Sequence, residues 1–149
     1  CPRTYLETSN DLFSANRMNS LDASQTGTVG EYLVAAVLAG YGHEVHHTKC
    51  NGYDLLVMHP DRSPIRVDVK TIKAADRPRQ YSIRRGKTTT FREYSAGDCD
   101  LFALVCLEDQ SILFDRCDKY HGKSSIYINR DTHRNTCPHE SWLSATIEP

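Results

Sequence analysis

Several features are scarce or missing in this chain, and each absence narrows the reading. No apolar run approaches the roughly 20 residues that a membrane-spanning helix needs, and no charged segment followed by an apolar one opens the sequence. A membrane or secreted protein is therefore not expected. No internal repeat or low-complexity tract occurs, and 149 residues are most simply one domain with a real core. No Ser-His-Asp order and no phosphate-cradling glycine loop stands out. The six cysteines, at positions 1, 50, 99, 106, 117 and 137, form no compact framework. With no secretory signal, reduced thiols and a cytoplasmic or nucleoid-associated location are expected. Net charge is scarce too, at −1, so the whole-chain balance marks no polyanionic partner.

Charge is present, but unevenly placed. Residues 77–92 hold six Lys/Arg and no acid, whereas residues 93–118 hold seven acids against Arg116 alone. A near-neutral protein with one concentrated basic stretch can still bind nucleic acid through that face, although the same stretch reads equally as a solvated loop. Residues 1–25 are polar and Asn/Ser-rich, and read as an N-terminal arm ahead of a domain spanning 26–149. A helix is expected over 28–39; its interior, YLVAAVLA, is apolar all round and so should be buried on most sides. Gly40 and Gly42 end it. Strands are expected at 43–48, 54–59, 65–72, 80–84, 101–107, 112–115 and 125–128, with an irregular His/Cys-bearing tail and a final apolar cluster at Trp142, Leu143 and Ile147. That order gives a mixed sheet flanked by helices in one α/β domain.

The stretch YDLLVMHPDRSPIRVDVKTIK, residues 53–73, carries the chemistry. It reads as a hairpin whose turn is marked by Pro60, Asp61, Ser63 and Pro64. In the second strand Ile65, Val67, Val69 and Thr71 point one way, and Arg66, Asp68, Lys70 and Ile72 the other. Asp68 and Lys70 thus share a face, roughly 6.6 Å apart at two strand rises. A turn centred near Arg62 puts Asp54 almost opposite Lys70. Two carboxylates and a lysine so close could form a cross-strand salt bridge. They could also offer the oxygen ligands that Mg²⁺ takes, completed by waters and substrate phosphate. In that case Lys70 would hold water or offset the charge developing in phosphodiester hydrolysis. Glu31 is a third acid, just inside the expected helix start, where Thr28-x-x-Glu31 also fits a capping box.

Taken together, GEYLVAAVLAGYGHEV, YDLLV and RVDVKTIK resemble the core of the PD-(D/E)XK nuclease superfamily, within it the small endonucleases and archaeal-type Holliday junction resolvases. The resemblance covers residues 26–73 well and weakens before 24 and after 115. It implies a restriction-endonuclease-like αβββαβ core with a central mixed sheet. Glu31 matches the helix acid, Asp54 the strand-opening Asp, and Asp68 with Lys70 the final pair. Tyr53 stands where the family often has Pro. The implied activity is Mg²⁺-dependent hydrolysis of double-stranded or branched DNA, with Mn²⁺ able to substitute. Asp54 and Asp68 would bind the ion, Glu31 would reach it through a water, and Lys70 would position the nucleophile. A homodimer or higher homo-oligomer is implied, so that each strand meets one site. The alternatives are a junction resolvase and a non-cleaving DNA-binding module on the same fold.

On that reading the basic stretch lies beside the site, and Arg77, Arg79, Arg84, Arg85, Lys87 and Arg92 are expected to contact phosphates. Lys73 is at most a further DNA contact. Cys117-x₃-His121 and His133-x₃-Cys137, with His139 nearby, could be drawn as a zinc set, but the spacings are loose and structural zinc is not expected. His43, His46, His47 and His59 read as surface or strand-end residues.

Overall fold

A computed structural model describes residues 15–48, 52–74, 78–84 and 97–147. A short helix, α1 (Ala15–Asn19), leads into α2 (Ala23–Gly40), which starts five residues before the expected start at 28. Asp22 is its N-cap: the Gln25 amide donates to the Asp22 carboxylate at 2.8 Å, and the Asp22 amide donates to the Gln25 side chain at 2.9 Å. This reciprocal pair satisfies two otherwise orphaned donors, so the helix can begin in polar sequence. At the other end the His43 amide bonds the Leu38 carbonyl and the Gly42 amide bonds that of Ala39, with Gly42 at φ 91°. That is a Schellman closure, for which glycine is the favoured residue.

The helix is not buried on most sides, as its composition implies. Thr26, Gly30, Val34 and Leu38 form its buried stripe, at a strict four-residue spacing, while Tyr32 stays exposed. Apolar residues outnumber the positions that one packed face can cover.

Among the described residues seven strands follow: β1 (Val45–His47), β2 (Leu55–Val57), β3 (Ile65–Ile72), β4 (Arg79–Ser82), β5 (Leu101–Cys106), β6 (Ser111–Arg116) and β7 (Ser125–Ile128). Five make a mixed sheet in the order β1-β2-β3-β5-β6, in which only the central β3–β5 pair is parallel. β4 and β7 form a separate antiparallel ribbon. This is a single mixed α/β domain of the expected class.

Both faces of the large sheet are covered. Ile65, Val67, Val69, Leu101, Ala103 and Val105 pack with Val34 and Leu38 of α2 and with Trp142. Phe102 and Leu104, pointing the opposite way from β5, pack with Tyr81, Ile83, Ile126 and Ile128 of the ribbon layer. A strand buried on two faces carries no polar alternation, which is why β5 reads LFALVC.

The tail is helical rather than irregular. Asn129 caps α3 (Arg130–Asn135) by accepting from the Asp131 and Thr132 amides, and Pro138 opens α4 (Pro138–Thr146), which lays Trp142 into the core. The cysteine expectation is corrected as well. Cys99 and Cys117 are disulfide-bonded with Cα atoms 6.4 Å apart, and Cys137 is also disulfide-bonded. Cys106 is a free, buried thiol. Cys99 precedes β5 and Cys117 follows β6, so the hairpin register brings together two residues 18 apart. No helix among the described residues is long and apolar enough to cross a membrane.

Candidate active site

The site is built on the β2–β3 pairing. Leu55 faces Val67 and Val57 faces Ile65, and Asp54, the residue before β2, bonds to the β3 backbone at Val67 and Val69, on either side of Asp68. The hairpin therefore centres on Asp61 rather than Arg62, and Asp54 lies beside Asp68 rather than opposite Lys70. A slip of two residues keeps every side chain on its expected face, whereas a slip of one would have dispersed the cluster.

Asp54 closes the ladder with its side chain. Its amide donates to the Val67 carbonyl at 2.9 Å, and its Oδ2 accepts from the Val69 amide at 2.8 Å. One carboxylate oxygen is thereby fixed in the plane of the sheet. Asp68 is only 4% exposed, and a carboxylate so buried is costly unless it is paired. Lys70 supplies a partner, its Nζ lying 3.1 Å from Asp68 Oδ2. The salt-bridge and catalytic readings of this pair thus describe one geometry.

Glu31 arrives from α2. An added Cβ on Gly30 would fall 1.8 Å from Thr71 Oγ1, so helix and strand meet tightly at this glycine, one residue before Glu31. Because Asp22 and Gln25 cap the helix, Glu31 stands well inside it, and its expected alternative as a capping residue is overturned. Burial raises the pKa of its carboxyl, and the nearby Asp54 charge raises it further. His47, ending β1, places Nδ1 3.9 Å from Glu31 Oε2 and packs against the Tyr32 ring, the two tilted by 43° with centroids 4.6 Å apart. Sequence reading passed over both: His47 read as a strand-end residue, and Tyr32 as part of a buried helix.

The donors suit a hard cation. Asp54, just before β2, and Asp68, on β3, present carboxylates to the same stretch of sheet, and one or two carboxylates completed by water and phosphate suffice for Mg²⁺. Among the described residues no three His, Cys, Asp or Glu side chains form a group that could hold a metal ion. An ion here would have two carboxylates, Asp54 and Asp68, to rest on, with water and phosphate supplying the remaining oxygens.

The basic stretch divides. Arg84 is exposed, and Arg77, Arg85, Lys87 and Arg92 lie outside the described residues. Arg79 is the correction: it is fully buried and contacts no solvent. Strand alternation turns it inward with Tyr81, where its guanidinium pairs with Asp109 at 2.5 Å and bonds His133 Nδ1 at 2.8 Å. His133 Nε2 lies 2.9 Å from the Leu104 carbonyl, and Arg134 and Ser111 also donate to Asp109. Burial would lift the Asp109 carboxyl, but the bonds from Arg79, Ser111 and Arg134 hold it well below the usual carboxylate range. Lys73 is likewise engaged, donating to the Leu21 carbonyl. The residues considered for zinc are dispersed: Cys117 and Cys137 are in disulfides, His133 is in the Asp109 network, and His139 stacks on Tyr41.

No family model matches the chain. A 57-residue stretch is 39% identical to Kelch-like protein 22 from Xenopus tropicalis, but this is 38% of the chain and 9% of that protein, and it assigns no family. Among solved structures, the bacterial homing endonuclease I-Ssp6803I superposes with a TM-score of 0.66 over 87% of this chain and all of its own, at 17% identity. The two share a fold.

Proposed function

We propose that the chain is a DNA endonuclease of the PD-(D/E)XK type that hydrolyses phosphodiester bonds with Mg²⁺ or Mn²⁺. The observation that carries this reading is Asp54 bonded to the backbone of Val67 and Val69 on either side of Asp68, with the Lys70 ammonium 3.1 Å from Asp68, on the central sheet of an endonuclease-like fold. Fold likeness alone assigns no activity, so the weight rests on these side chains.

Asp54 and Asp68 would hold the divalent ion. Bound there, it would polarise a phosphoryl oxygen and make water a better nucleophile at neutral pH. Lys70 would orient the attacking water and offset charge growing on the phosphoryl oxygens. Glu31, beside Asp54, would hold a second water in place. Arg84, with Arg77, Arg85, Lys87 and Arg92, would grip flanking phosphates and set the register of the strand. A homo-oligomer would bring one site to each strand of a duplex.

Plasmid nicking with Mg²⁺ and with EDTA tests the reading. Asp68→Asn should lower cleavage by about 100-fold or more while DNA binding and folding persist. Undiminished cleavage by this variant would remove Asp68 from the site. Four-way junctions assayed against linear duplex separate a junction resolvase from a homing or restriction-type enzyme. Binding without any nicking would identify a non-cleaving module.

A further inference from the structure

Tyr32 is a large aromatic side chain left 63% exposed on a helix whose packed stripe lies elsewhere. Single exposed apolar groups need no explanation as a rule. The others here, Met58, Tyr127, Leu143 and Ile147, lie just past β2, on β7 and at α4. Tyr32 differs in its neighbours. It follows Glu31 in the chain, and its ring stands 4.6 Å from that of His47, within the range of favourable aromatic pairs. His47 in turn lies 3.9 Å from Glu31.

The pair is tied to the site through backbone. His47 is in register with Leu55, and the next residue, Thr48, donates its amide to the Asp54 carbonyl at 2.9 Å and its hydroxyl to the Tyr53 carbonyl at 2.9 Å. The step made by the two rings is therefore fixed relative to Asp54, and its outer member is open to solvent.

We propose that Tyr32, backed by His47, is a stacking platform for a nucleobase next to the phosphodiester being cut. This rests on the nuclease reading above and narrows its substrate. In an intact duplex both faces of every base are covered by neighbouring bases. A ring at the rim can stack only on a base exposed at a branch, an end or a locally opened pair. The structure thus favours DNA with an accessible base face over undistorted duplex. Stacking on an aromatic side chain is tolerant of sequence, so Tyr32 would add affinity without base identity.

The test uses the full chain and a forked oligonucleotide carrying 2-aminopurine at successive positions around the fork, bound in EDTA so that no cutting occurs. Wild-type protein should quench the probe at one or two adjacent positions. Tyr32→Ala should lose that quenching and raise KM for forked DNA roughly 5- to 100-fold, with kcat little changed. Tyr32→Phe should behave as wild type, because the ring matters and the hydroxyl does not. If wild-type protein cuts the fork, Asp68→Asn does not, and Tyr32→Ala matches wild type in KM and quenching, the platform is refuted while the nuclease stands. If nothing is cut but quenching depends on Tyr32, the nuclease reading falls and the platform beside a cut falls with it, leaving Tyr32 as a base-stacking contact of a non-cleaving DNA-binding module. Neither cutting nor quenching overturns both.

Discussion

Arg79 and Arg84 come from one basic stretch and end in opposite environments, because strand alternation turns one inward and leaves the other in water. Their substitutions should therefore fail differently. Arg79→Met removes the buried guanidinium from Asp109 and from His133, leaving Asp109 to Arg134 and Ser111, and breaking a buried pair from one side costs up to about 3–5 kcal/mol. Denaturant unfolding should show that loss. Arg84→Ala should leave stability unchanged, weaken DNA binding, and reduce the salt dependence of binding by about one phosphate contact. A stable Arg79→Met protein with weakened DNA binding would restore the expectation that Arg79 faces DNA. Glu31 makes a different trade. Burial and the Asp54 charge both oppose its ionised form, so the folded state is favoured when that charge is absent. Glu31→Gln should keep or raise the melting temperature while lowering cleavage by about 100-fold. Melting scans run beside nicking assays decide this, and a fall in both would make Glu31 a structural residue.

The seam between α2 and β3 carries Glu31, and Gly30 against Thr71 leaves no room there for a side chain. Gly30→Ala would drive a methyl into the Thr71 side chain, at a cost of about 1–3 kcal/mol for overpacking, and would tilt Glu31 away from Asp54. Adding Thr71→Ala removes the clashing Oγ1 and Cγ2 but leaves Cβ, so it should restore stability and cleavage only in part. Independent, additive losses in the double variant would show that the seam is not the contact that matters. At this scale the sequence was informative where local chemistry and pattern agreed. The alternation in IRVDVKTI placed Asp68 and Lys70 on one face, and the all-apolar run of β5 marked a strand covered on both sides. The glycine pair at the end of α2 closed as its Schellman geometry requires. The exact partner of Asp54 was not legible, because a turn rich in Pro and Ser allows hairpins differing by two residues with the same hydrophobic pattern. The start of α2 was missed because its first turns are polar and held by a cap rather than by packing. Arg79 was misread because inward alternation in a four-residue strand gives almost no pattern. The Cys99–Cys117 bond depends on two strands pairing at a distance, which spacing alone does not reveal.

Over the whole molecule, the titrating groups divide the response to acid into two ranges. His43 joins the end of α2 to α4, its ring 5.1 Å from that of Trp142. Burial lowers its pKa from 6.5, and the neighbouring His59 and His139 lower it further. The unfolded chain therefore takes up this proton more readily than the folded one, and the stability His43 contributes is present above 6.5 and lost as pH falls through it. Asp109, in the Arg79 network, and Asp100, bonded by the Arg66 side chain and amide, respond at lower pH. Burial opposes both charges, but their hydrogen bonds prevail and hold each carboxyl below its ordinary 3.8. Their contribution is intact above 3.8 and is lost progressively below it. Glu31 has the opposite sign: its raised carboxyl makes the folded state slightly worse as pH climbs through 4.5. Urea unfolding from pH 8 to pH 3 should show a shallow decline beginning near 6.5, then a steep one below 3.8. His43→Gln should flatten the first limb and leave the second in place. Asp100→Asn should lower stability at neutral pH, where the pair with Arg66 is lost, and make the acid limb shallower. A profile that stays level down to pH 4 in both wild type and His43→Gln would show that the histidines between α2 and α4 do not govern the molecule's response to mild acid.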